Sequence, residues 1–175
     1  MNFRKEKIKN KRALQADFGL DQDDKTMLIG VVSRLTDQKG FDLVAYVMDE
    51  LCQDNVQLIV LGTGEEQYEN MFRHFAWKYP GRVSAQIYYS EAVSHRVYAS
   101  CDAFLMPSLF EPCGLSQLIA LRYGTRVLLL DRGHVTADGL AEEVLASEPL
   151  HRAYGMDVAA WMAQTAEQWR EVAGE

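Results

Sequence analysis

The chain has little cysteine, no basic excess and no long apolar run, and each shortage removes a class of protein. Its three cysteines, Cys52, Cys101 and Cys113, cannot all pair with one another and share no metal-ligand spacing. That argues against a secreted disulfide scaffold and fits a reduced, cytoplasmic protein with no metal. Eighteen Lys and Arg stand against 25 Asp and Glu, a net charge of -7. A duplex-binding surface normally needs the opposite balance, so no nucleic-acid partner is expected, although a small anion needs only two or three local cations. No window of about 18 apolar residues occurs, so no membrane span is expected. No apolar run follows the basic start "MNFRKEKIKNKR", and no signal peptide is expected either. Internal repeats, low-complexity tracts and flexible linkers are also missing.

What is present is an ordinary globular composition, 48% hydrophobic and 25% charged over 175 residues, enough for one compact domain with a core. Short β-branched runs alternate with longer amphipathic stretches. Residues 27–35, 56–64, 82–90, 102–108 and 126–133 read as strands, mostly continuously apolar, as a sheet covered on both faces requires. Between them, 41–51 and 65–78 place apolar residues at helical spacing, and Ser90 with Glu91 behind it opens a helix over 90–100. A first helix, roughly 4–16, is polar enough to fray. Strand–helix–strand repeats with short connections predict an α/β fold: a three-layer, doubly wound, Rossmann-like sheet of about five mainly parallel strands. A hairpin turning at Gly133 back through "HVTADG" and terminal helices would complete a single domain, 1–175. The stretch 156–172 spaces Val158, Trp161, Met162, Trp169 and Val172 along one face, as a helix covering the sheet or, less simply, a partner-binding helix.

In such a sheet ligands sit beyond the carboxyl ends of the strands, where glycine turns and helix N-termini gather. Four segments fall there: "SRLTDQKG" (33–40), "GTGEE" (62–66), "YYSE" (88–91) and "LFEPCGLS" (109–116). Arg34 and Lys39 are two cations in one loop, able to grip a phosphate together with backbone amides or simply to be solvated. Gly62 and Gly64 make a lone G-x-G, better explained by a tight turn than by a dinucleotide fingerprint. Tyr88 or Tyr89 stacks on a base or fills a sheet-to-helix gap. His74 and His95 have no partner at metal spacing and read as surface or packing residues. Glu111-Pro112-Cys113-Gly114 is the sharpest feature. Pro112 fixes a turn, Gly114 permits close backbone approach, and Leu115 and Ser116 open a helix whose amides point at the cleft. A carboxylate beside an anion site suits a sugar hydroxyl, because an ionised carboxylate only accepts hydrogen bonds. The plainer reading of Glu111 is a favourable acid in a helix's first turn.

"GVVSRLTDQKGFDL", "LIVLGTGEEQYE" and "FLMPSLFEPCGLSQLIALRYGT" resemble the C-terminal, nucleotide-sugar-binding half of bacterial glycogen (starch) synthases, two-domain glycosyltransferases of the GT-B type. The resemblance runs over roughly 8–125. It implies retaining transfer of glucose from ADP-glucose to an α-1,4-glucan, with no metal and no cofactor. It also implies that Arg34 and Lys39 hold the diphosphate and Glu111 accepts from the glucose hydroxyls. The amides at Gly114, Leu115 and Ser116 would meet the diphosphate, and Tyr89 would lie against the adenine. Wider relatives often carry a second glutamate eight positions after the first; Ile119 stands there, as in the synthase branch.

After residue 125 the text changes. The family's Gly-Gly-Leu turn is missing, and roughly 126–158 resembles the end of an ABC-transporter ATP-binding subunit of the siderophore or B12 importer type. No G-x-x-x-x-G-K-[ST] loop accompanies it. The expectation is therefore a chimera joined near Tyr123–Arg126: a donor-binding domain without its acceptor-side half, inactive alone, with weak binding of ADP or ADP-glucose. The alternatives are an engineered or chimeric scaffold that only folds, and a natural enzyme recruiting its missing half from another chain. Either a monomer or a homodimer is compatible with the sequence.

Overall fold

The computed structural model describes residues 3–110, 115–131, 134–157, 160–161 and 163–164. The chain divides into two compact units, Met1–Thr125 and Arg126–Glu175.

The first unit runs α1 (Phe3–Asp17), β1 (Met27–Val32), α2 (Phe41–Leu51), β2 (Val56–Leu61), α3 (Glu66–Lys78), β3 (Val83–Gln86), α4 (Glu91–Ser100), β4 (Ala103–Phe104) and α5 (Leu115–Arg122). Its sheet has four strands in the order β3-β2-β1-β4, all parallel, with Met27 opposite Val56, Leu58 opposite Val83 and Ile29 opposite Ala103. Successive strands step outward from β1 to β3, and the chain then returns to the other side of β1 to place β4. The order therefore reverses between β1 and β4.

Strand alternation sends neighbouring side chains to opposite faces. Val31, Leu58 and Val60 join Phe41, Met48 and Phe72 of α2 and α3 on one face. Leu28 and Ile59 join Leu14 of α1 and Val97 and Cys101 of α4 on the other. The three layers follow directly. Phe41 meets Phe72 edge-on, ring centroids 5.3 Å apart, and each such fully buried side chain contributes about 1.5–3 kcal/mol.

The helix expected to fray is instead a docked one. Lys11 and Gln15 of α1 are buried with Leu14. The Lys11 ammonium donates to the Thr26 carbonyl, to Asp102 Oδ2 at 2.6 Å and to the Asp24 carbonyl at 3.2 Å. Gln15 donates to Gln57 Oε1 at 2.8 Å. The polar residues that lowered the apolar periodicity are the ones that fasten the helix. Lys7 reaches the Tyr98 and Tyr123 carbonyls, 3.3 Å each, and burial pushes its ammonium below its ordinary pKa.

The second unit opens with β5 (Val127–Asp131) and β6 (His134–Gly139), followed by α6 (Ala141–Leu145) and α7 (Glu148–Tyr154). β5 and β6 form a two-stranded antiparallel sheet with an irregularity at Leu129/Leu130. The apolar run after residue 125 is thus a hairpin strand rather than a fifth parallel one. Pairing with a strand that follows after two residues closes a very short loop, which costs little chain entropy. The Arg126 guanidinium braces the hairpin through both oxygens of Asp138, at 2.5 and 3.0 Å, and holds that carboxyl below its usual range. Gly133 and most of the expected 156–172 helix lie outside the described residues. Among the described residues no helix is long and apolar enough to cross a membrane.

Candidate functional site

A cavity of about 110 Å³ opens at the carboxyl ends of β1 and β4 in the first unit. Val32 and Ser33 line it from the end of β1, Leu105–Ser108 from the end of β4, with Lys39 and the first residues of α5, Leu115 and Ser116. This is the place where the strand order reverses, the usual ligand crevice of an open α/β sheet. Its mixed lining of hydroxyl, ammonium and apolar groups suits a phosphate or part of a sugar.

The loop after β1 is built to stay in place. Its backbone runs alongside the turn after β2: Leu35 N donates to Thr63 O at 3.0 Å, and Glu65 N to Leu35 O at 2.8 Å. A Cβ on Gly62 would lie 1.9 Å from Ser33 O, and one on Gly64 2.2 Å from Leu35 O. The G-x-G thus admits a neighbouring backbone. Asp37 is anchored three times, its carboxylate accepting from Tyr68 OH at 2.5 Å and from Gln67 Nε2 at 3.2 Å and its amide donating to Glu65 Oε1 at 3.2 Å. That carboxylate pushes the Tyr68 hydroxyl up to about 12. A short turn, Asp37–Lys39, ends at Gly40, whose φ of 66° lies in the left-handed region. A Cβ there would fall 2.2 Å from Pro107 O. Glycine is what lets the Lys39 loop touch the cavity's opposite wall.

That wall is held in turn. Leu109 N donates to Gln38 O at 2.9 Å, and Gln38 Nε2 to Phe110 O at 2.8 Å. Ser116 Oγ donates to Val32 O at 3.3 Å, joining the start of α5 to the end of β1. The first amides of α5 have no partner within the helix and carry its positive end, a setting for an anion.

The expected site residues divide into three groups. Lys39, Leu115 and Ser116 line the one cavity. Arg34, on the same loop, is exposed and makes no ion pair among the described residues. Tyr89 is 84% exposed beyond the end of edge strand β3. β3 lies two strands from β1, a lateral distance of about 10 Å at a spacing of about 4.8 Å per strand. Glu111 and Gly114, with Pro112 and Cys113, lie outside the described residues. Ser33, Ser108 and Gln38 were missed; each is a single polar residue in a strand-end loop, with no charge or spacing to mark it. His95 pairs with Tyr123 OH at 3.0 Å and the His74 ring lies tilted beside Trp77, centroids 5.7 Å apart; both histidines are exposed. No group of three or more His, Cys, Asp or Glu poised for a metal occurs among the described residues.

Comparison with known proteins bears on what this cavity belongs to. Residues 11–146 match the profile of the glycosyl transferases group 1. The chain belongs to that family. Among group 1 relatives, the glycogen synthase of Lachnospira eligens is 68% identical over 133 residues, 76% of this chain and 28% of that protein. The glycogen synthase of Lachnoclostridium phytofermentans is 64% identical over 132 residues, 75% of this chain and 28% of that one. The catalytic domain of starch synthase IV from Arabidopsis thaliana, solved bound to ADP and acarbose, superposes with a TM-score of 0.61 at 36% identity. That likeness covers 68% of this chain and 25% of the plant one. This group 1 glycosyl transferase chain therefore spans about 28% of the length of the curated glycogen synthases it matches. The family match crosses from the first compact unit into the second.

Proposed function

We propose that the first unit is the donor-binding part of a glycogen-synthase-type glucosyltransferase, taking ADP or ADP-glucose at the β1/β4 crevice. The observation that carries this is the meeting of Lys39 with the N-terminus of α5 in one cavity at the strand-order reversal. Similarity to glycogen synthases supports the choice of nucleotide sugar. Arg34 and Lys39 would hold the diphosphate and offset the charge that develops on departing ADP, while the amides at Gly114, Leu115 and Ser116 solvate the same group. Glu111 would accept from the glucose hydroxyls, and Tyr89 would cover the adenine. No metal is needed for this set of contacts.

Transfer requires donor and acceptor held together in attack geometry. These 175 residues present the donor side, so taken alone they bind weakly and synthesise no glucan. The reading is tested by titration calorimetry of the chain with ADP, repeated on Arg34→Ala/Lys39→Ala. Saturable heat that the double substitution abolishes is the expected result. Absence of heat and of any thermal shift at millimolar ADP refutes it.

A second reading, a spliced folding scaffold whose binding loops are relics, draws on one observation. The compact units part between Thr125 and Arg126, where the resemblance to ABC-type ATP-binding subunits begins. The group 1 match, which runs on to residue 146, favours the first reading.

A further inference from the structure

We propose that Gln38 is a positioning residue that clamps the Lys39 loop to segment 107–110 and so sets the spacing across the donor cavity. The proposal rests on the donor-site reading above. One residue makes both attachments: its carbonyl accepts from Leu109 N at 2.9 Å and its side-chain amide donates to Phe110 O at 2.8 Å. The side chains of Leu109 and Phe110 are 73% and 65% exposed. Apolar packing therefore does not hold these two residues down, whereas both of them are bonded to Gln38 through their backbones.

The clamp is anchored on its own side. Asp37, one residue earlier, is tied to Glu65 of the turn after β2 and to Tyr68; Tyr68 stands on the core face of α3. Lys39, one residue later, lines the cavity opposite Pro107 and Ser108. A chain of contacts thus runs from the core through Asp37 and Gln38 to the two residues that lead directly into Glu111. The Lys39 side would meet the diphosphate, and the 108–110 side the sugar. Gln38 fixes one relative to the other. A ligand that spans both halves, a nucleoside diphosphate sugar, depends on that spacing; a nucleoside diphosphate alone does not.

The test is titration calorimetry with ADP and with ADP-glucose on wild type, Gln38→Met and Gln38→Glu, with hydrogen exchange over residues 105–110. Gln38→Met removes the donor without adding charge and carries the affinity ratio; Gln38→Glu keeps the shape but adds a negative charge beside the diphosphate, so it is read through exchange at 105–110. In Gln38→Met, ADP affinity should stay within about two-fold while ADP-glucose affinity falls by about three- to ten-fold, the equilibrium effect of losing one net hydrogen bond. Exchange at 105–110 should quicken in both variants. Equal weakening for both ligands, an unchanged ratio, or unchanged exchange overturns the clamp. A wild-type chain that binds neither nucleotide overturns the donor-site reading and the clamp with it. A chain that binds ADP with an unaltered ratio overturns the clamp alone.

Discussion

Replacing Gly40 by alanine adds one methyl group at a point where two loops of the site touch. Two costs arise and can be separated. The φ of 66° is left-handed, which charges an alanine about 1–2 kcal/mol. The new Cβ would also lie 2.2 Å from Pro107 O, where anything under 3.0 Å forces a shift of backbone; overpacking of this kind costs about 1–3 kcal/mol. The sum is about 2–5 kcal/mol, or roughly 10 °C in Tm for a chain of this size. Gly19 is the internal control: its φ of 71° is equally left-handed, but a Cβ there meets nothing within 4 Å. Gly19→Ala should therefore lose only the strain, about 1–2 kcal/mol. Urea unfolding of both variants, followed by circular dichroism, gives the difference. Equal losses at the two positions would show that the Lys39 loop does not rest on the Pro107 carbonyl.

Tyr68→Phe removes the bond to Asp37 and should cost about 1 kcal/mol, modest because the pair is only partly withdrawn from water. The Tyr68 hydroxyl is raised above its ordinary 10 to about 12 by that bond, so its contribution is complete below pH 10 and lost as pH rises toward 12. Urea midpoints of the two proteins should accordingly converge above pH 10, and a gap that widens there would contradict the assignment. Lys11→Met strips Asp102 of its ammonium and leaves the Thr26 carbonyl without its donor. The expected loss is about 3 kcal/mol, the low end for breaking a buried pair because Asp102 is half-exposed. An unchanged urea midpoint would mean that the Lys11 bonds do not help to hold α1.

The layers of the first unit were legible because burial on both faces imposes its own pattern. Continuous apolar runs marked β1 and β2, and helical spacing marked α2 and α3 to within a residue. Ser90 also proved to be the cap of α4, accepting from Val93 N at 3.3 Å. Strand ends were overrun. The apolar run 102–108 continues past Phe104, where β4 stops, because Leu105 and Met106 line the cavity instead of a ladder. Hydrophobicity reports burial, and a cavity wall looks much like a strand. α1 was under-read for the converse reason: Lys11 and Gln15 are buried through hydrogen bonds, which leave no apolar signature. In the site, Arg34 and Lys39 stood out by charge. Gln38 did not, since a glutamine in a loop acquires meaning only from the carbonyl it reaches 72 positions away.

The pairing of Leu35 with Gly64 has an evolutionary corollary. A loop welded to its neighbour at one end and to Pro107 at the other is a ruler with a fixed number of divisions. Adding or deleting one residue between Ser33 and Gly40 would move Lys39 out of the crevice. Descendants of this sequence would therefore be expected to keep the length of this loop. A tag or sensor inserted by an engineer belongs elsewhere, at the exposed turn of residues 53–55 before β2.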